Sequence, residues 1–117
     1  MVEGYQGTKL RIVLTKEASG SYQHAIAGAN KACVAQLLRY IKWLGDTGKL
    51  RSPDQFNSEG DGIFAIKANC GLRAYGWYSD RYPQTFVIGH VILKKKQKLD
   101  LVDFNRVKRV RRQYEME

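Results

Sequence analysis

Apolar and polar positions along this chain change period several times, and each change marks an element. Thr8–Thr15, TKLRIVLT, is β-branched and apolar, and predicts a first strand. Residues 1–7, with two glycines, read as a loose leader before it. From Ser19 to Leu44 the larger apolar side chains Tyr22, Ile26, Cys33, Leu37, Tyr40, Ile41 and Leu44 recur near a 3.6-residue period and predict helix. Gly28 and Asn30 interrupt that period, so the stretch is either one kinked helix or two. GDTGK, residues 45–49, ends it. Arg51–Gly62 carries Pro53 and two glycines among polar residues, the composition of a loop.

Three strand patterns follow: residues 63–69, 72–79 and 85–93, joined by CG and by DRYPQ. Connections that short predict hairpins and therefore an antiparallel meander. Beyond a run of lysines, Leu101, Phe104, Val107, Val110 and Tyr114 form the apolar stripe of a last helix. Asp100 is placed to cap its first turn, and Asp103 adds negative charge near the positive end of its dipole. Arg106, Lys108, Arg109, Arg111 and Arg112 lie mostly off the stripe. The order strand, helix or helix pair, three strands, helix predicts one α+β domain over residues 1–117: a small antiparallel sheet with helices packed on one face and a C-terminal helix.

The pattern leaves the other sheet face to be explained. In LRAYGWYS, residues 72–79, alternation puts Arg73, Tyr75 and Trp77 on one side of the strand. Two readings stand together. The rings and guanidinium could meet the bases and phosphates of RNA, or the rings could be core with Arg73 snorkelling at the rim.

Charge sharpens the question. Twenty Lys and Arg against eleven Asp and Glu leave a net charge of +9. Residues 94–117 alone hold nine basic and four acidic residues, a net +5. Such asymmetry points to a polyanionic partner, most often nucleic acid. With no apolar run of membrane-spanning length and no signal-peptide layout at the amino terminus, a cytoplasmic protein away from membranes is expected. Cys33 and Cys70 are too few and too far apart in sequence for a zinc site; Cys33 reads as a small core residue and Cys70 falls at a hairpin turn. No HxH or HxxE spacing offers a transition-metal site. Asp54, Glu59 and Asp61 do not match a calcium loop and read as a solvated acidic stretch.

The stretch from His90 to Phe104 resembles a known family. His90, then Val91, Ile92 and Leu93, then Lys94, Lys95, Lys96, Gln97 and Lys98 is similar to the His, apolar, Lys-Lys-x-Gln-Lys run of the RelE/HigB-like toxins of bacterial toxin–antitoxin pairs, phage-derived relatives included. Asp103 and Phe104 match the opening of the family's next helix. Upstream, Phe64, Ile66 and Lys67, then Leu72 and Arg73, resemble its aromatic-x-aliphatic-basic strand and the apolar-Arg pair after it. The motifs span roughly residues 50–110 and the layout covers the rest. Asp100 stands where members often have proline, and Ala65 where they often have glutamate.

The resemblance implies a RelE-like fold and an mRNA endoribonuclease, in many members ribosome-dependent, working without metal or cofactor. It also implies a cognate antitoxin, expected to be of helix-turn-helix type, masking the basic cleft. The reaction would be attack of a ribose 2′-OH on the adjacent phosphate, which needs a proton acceptor, a proton donor and cations around the phosphorane. Arg73 is the candidate for phosphorane charge, since its planar fork suits two oxygens. Lys67 is a phosphate ligand or base, and Lys98 a further site lysine. His90 is a general acid–base by chemistry or a hydrogen-bonded structural histidine by position. Lys94, Lys95 and Lys96 are candidates to grip the RNA backbone, and Tyr75 and Trp77 to stack on bases. His24 is given no role. Two rival readings remain: a ParE-type toxin acting on DNA gyrase without nuclease activity, and a non-catalytic nucleic-acid-binding module.

Overall fold

The structure, a computed structural model, describes residues 1–94 and 100–116. Its strands are β1 (Val2–Gln6), β2 (Arg11–Leu14), β3 (Phe56–Gly60), β4 (Ile63–Lys67), β5 (Leu72–Tyr78) and β6 (Thr85–Leu93). Its helices are α1 (Lys16–Ala27), α2 (Lys31–Thr47) and α3 (Leu101–Met116). The strands make one sheet in the order β1-β2-β6-β5-β4-β3. The expected meander is there as β4, β5 and β6, antiparallel throughout. The sheet as a whole is mixed, because β2 pairs with β6 in parallel. Both helices and three strands intervene between those two, which is the long connection a parallel pair requires.

Local chemistry explains where the elements start and stop. Strand β2 ends at Leu14 because Thr15 leaves it to cap α1, its hydroxyl accepting from the Ala18 N–H at 3.0 Å. The helix therefore opens at Lys16 rather than Ser19. Of the two arrangements open at Gly28, the pair of helices is the one formed. Asn30 starts α2 with its side-chain oxygen accepting from the Cys33 N–H at 2.8 Å. Gly48, at φ 75°, closes α2 in the left-handed conformation that favours glycine. Asp100 caps α3 as expected, accepting from the Val102 N–H at 2.8 Å.

Two strands contradict the expected leader and loop. Both β1 and β3 are sheet edges, so neither needs the apolar alternation that betrays a half-buried strand. Side chains tie them instead. Glu3 pairs with Arg11 at 2.7 Å, the Tyr5 hydroxyl donates to Asp46, and Phe56 stacks on Phe64 with ring centroids 5.1 Å apart.

Helices cover both sheet faces, not one. The first face, with Ile12, Ile66, Phe86 and Ile88, packs on Leu37 and Leu44 of α2 and Ala18 and Ala25 of α1. The second, with Val13, Ile63, Tyr75, Trp77 and Val87, packs on Val107 and Val110 of α3. Leu101 falls out of the predicted stripe and stays exposed. Cys33 is buried as expected, and it is also disulfide-bonded to Cys70 in the β4–β5 turn, with Cα atoms 5.8 Å apart. Among the described residues no helix is long and apolar enough to cross a membrane.

Candidate nucleic-acid interface

Strand register gathers the candidates. Lys67 of β4 lies opposite Arg73 of β5, Ala65 opposite Tyr75, and Tyr75 opposite His90 of β6. Cross-strand partners share a face, so Lys67, Arg73, Tyr75 and His90 from three strands all project toward the α3 side.

Arg73 is held by its own hairpin. Its Nη1 donates to the carbonyl of Ala68 at 2.6 Å and to that of Leu72 at 3.3 Å. That turn is tethered three ways: the Cys33–Cys70 disulfide, the Asn69 N–H donating to Gln36 Oε1 at 2.6 Å, and the Lys94 N–H donating to the Gly71 carbonyl at 2.8 Å. Gly71 is required there: its φ is 102°, and a Cβ would collide with the Lys94 carbonyl. Burial lowers the Arg73 pKa from its usual value, while the charges of Tyr75 and Glu59 oppose the shift. A guanidinium stays protonated all the same. It is therefore a fixed cation at the turn end of the sheet. Lys67 beside it is half-buried, with Nζ donating to the Pro53 carbonyl at 3.3 Å.

His90 belongs to a buried cluster. Its Nε2 lies 3.4 Å from Oδ1 of Asp103, whose Oδ2 lies 3.4 Å from Nζ of Lys94. The Nε2 contact lacks hydrogen-bond alignment, and the atom has no other partner among the described residues. Burial is the largest influence on this imidazole and lowers its pKa below the usual 6.5; Asp103 opposes, while Arg106 and Lys94 add to the lowering. A neutral imidazole at pH 7 results. The lowering also sets a stability trend. As pH falls through the usual histidine value near 6.5, the unfolded chain takes up a proton that the native state refuses. Stability is therefore complete above that value and falls until pH passes the native pKa. Urea midpoints at pH 7.5 and pH 5 should drop further for the wild type than for His90→Gln. Parallel drops would remove His90 from the account of acid sensitivity.

Other candidates are placed differently from expectation. Tyr75 and Trp77 are 2% and 1% exposed. They are core beneath α3, and neither ring offers a face to a base. The Trp77 Nε1 donates instead to Glu115 of α3 at 2.6 Å. Burial, followed by the charge of Glu59, raises the Tyr75 pKa far above its usual value, so its hydroxyl stays protonated. Lys94 turns inward to Asp103 rather than outward to a polyanion. Lys95, Lys96 and Lys98 lie outside the described residues.

Two residues gain a place that the sequence did not suggest. Glu59, read as part of a loop, sits on β3 where its charge acts on both Arg73 and Tyr75. It brings a carboxylate to the neighbourhood in which Ala65 has none. The clue was Phe56, which pairs with Phe64 and makes the loop a strand. His24 lines a cavity of about 510 Å³ at the free half of β6, together with Ser21, Gly28, His90, Ile92 and Arg106. Ser21 is already committed there, donating to the Ala18 carbonyl and accepting from the Val91 N–H. His24 and Ser21 share one face of α1 at helical spacing, a pattern that gains meaning only once β6 is known to lie against it.

No protein-family model matches the chain, and no curated protein is similar to it at a significant level. A solved structure described as the chromosomal ParDE TA system from P. aeruginosa is similar in fold, with a TM-score of 0.45 and 12% sequence identity. The likeness covers 74% of this chain and 98% of that one. A likeness of that extent assigns neither family nor activity.

Proposed function

We propose that this chain is the toxin of a toxin–antitoxin pair and an endoribonuclease that cuts mRNA on the ribosome by 2′-OH attack. The observation that carries the reading is the strand register, in which Lys67, Arg73 and His90 share the sheet face that packs on the arginine-rich helix α3. Arg73 stabilises the charge that develops on the phosphorane, and its anchored position means no reorganisation is needed as that charge appears. Lys67 binds the phosphate. His90, neutral at pH 7, takes the 2′ proton, and Lys98 returns one to the leaving 5′-oxygen. The nucleophile is part of the substrate, so the reaction itself calls for no metal or cofactor. A cognate antitoxin of helix-turn-helix type would mask the basic surface.

Two observations favour a second reading. Arg73 and His90 are only 4% and 5% exposed, and Ala65 stands where RelE/HigB-like toxins often carry glutamate. A toxin of ParE type, acting on DNA gyrase without cutting RNA, would need none of these groups at the surface. Induced expression in a bacterial host with primer extension on a reporter mRNA separates the two. Growth arrest with discrete cuts is the expected result. Arrest without cuts, accompanied by trapped gyrase–DNA breaks, would transfer the chain to the second reading, and no arrest would leave a nucleic-acid-binding module.

A further inference from the structure

The two faces of α3 are sorted by charge. Its acidic side chains among the described residues turn inward: Asp103 is buried against His90 and Lys94, and Glu115 accepts from Trp77 Nε1, Ser79 Oγ and the Arg81 N–H. Two of its cations are also committed. Lys108 pairs with Asp61 at 3.0 Å, and Arg111 donates to the Asp61 carbonyl. Arg106, Arg109 and Arg112 remain. All three are exposed, and none forms an ion pair with a described residue. They stand at successive three-residue steps, so each neighbours the next along one ridge of the helix. Asn105 and Gln113 flank the ridge, and the apolar side chains α3 leaves exposed, Leu101, Val102 and Met116, sit at its ends.

A merely soluble surface interleaves both signs of charge; this one is cationic only. We infer that the Arg106–Arg109–Arg112 ridge is a track for the phosphate backbone of single-stranded RNA. Guanidinium forks match phosphate oxygens two at a time, and a convex ridge without a central apolar anchor lacks what a protein partner would bury. Arg106 also lines the cavity that holds His90. The track therefore leads the strand to the proposed site. The inference rests on the nucleic-acid part of the proposed function and not on cleavage.

Salt dependence of binding tests it. The probe is a short fluorescein-labelled 2′-O-methyl oligoribonucleotide, which lacks the attacking hydroxyl and cannot be cut by 2′-OH attack. Anisotropy titrations over a salt series give the slope of log Kobs against log[salt] for the wild type, a triple Arg→Ala variant and a triple Arg→Lys variant. Replacing these exposed side chains should leave the circular dichroism and Tm near wild type, so folding does not confuse the comparison. The alanine variant should lose about two units of slope, at roughly 0.7 per cation on a single strand. The lysine variant should keep most of it. An unchanged slope in the alanine variant, with the wild type still binding, overturns the track and leaves the proposed function standing. No salt-dependent binding by the wild type overturns both. Displacement of nothing but a polyglutamate peptide by the alanine substitutions, with RNA binding intact, would assign the ridge to an acidic protein and likewise overturn it.

Discussion

Replacing Trp77 with alanine should destabilise the protein by about 4 kcal/mol, the middle of the range for truncating a buried aromatic. The indole is 1% exposed among Val13, Ile63, Val87, Val107 and Val110. It is fitted closely: a Cβ on Gly89 of β6 would collide with its ring. Its Nε1 also neutralises part of the buried demand of Glu115, which in turn accepts from Ser79 and Arg81 at the β5–β6 connection. Alanine would leave a cavity and an under-partnered carboxylate together. Phenylalanine separates the two, keeping most of the ring volume while losing a hydrogen bond to a charged acceptor, for about 2 kcal/mol. Urea unfolding measures both. In a Trp43→Phe background, where Trp77 is the remaining indole, its emission should be blue-shifted and indifferent to added RNA. Quenching by RNA would restore Trp77 as a base-stacking residue and contradict its place in the core.

Arg73→Ala should lower mRNA cleavage by about a hundredfold to a thousandfold, as removing one preorganised donor at a developing oxyanion does elsewhere. The substitution also frees the Ala68 and Leu72 carbonyls, so some stability is lost with it. Arg73→Lys distinguishes the two effects. Lysine keeps the charge and can reach one carbonyl, but it cannot present a fork to two phosphate oxygens. Cleavage should therefore stay low in the lysine variant even where its urea midpoint approaches wild type. Recovery of cleavage in step with recovered stability would make Arg73 a brace for the β4–β5 turn and nothing more.

What the sequence revealed, and what it withheld, follows from how each element earns its place. The meander and α3 are legible because half-buried strands and helices must repeat their apolar residues at fixed periods. Edge strands need not, so FNSEG reads as a loop until Phe56 is seen stacked on Phe64, and β1 reads as a leader. The alternation in LRAYGWY does place Arg73, Tyr75 and Trp77 together, but alternation reports a shared face without saying what covers it. That cover is α3, whose stripe is plain in the sequence and whose docking partner is not. The Cys33–Cys70 bond and the Asp103 bridge between His90 and Lys94 escape for the same reason: each joins different elements and forms only when the layers close. Charge sorting on α3 is hidden too, since the sequence counts Asp103 and Glu115 against the arginines while the fold turns them away.

The chemistry of the cut ends tests the central claim most directly. Translating ribosomes with a defined mRNA would be incubated with the purified protein, and the new termini determined. Attack by the ribose 2′-OH requires a 2′,3′-cyclic phosphate on the upstream fragment and a 5′-hydroxyl on the downstream one, at sites lost in Arg73→Ala. Intact mRNA, or fragments bearing 5′-phosphate from attack by water, would contradict the account.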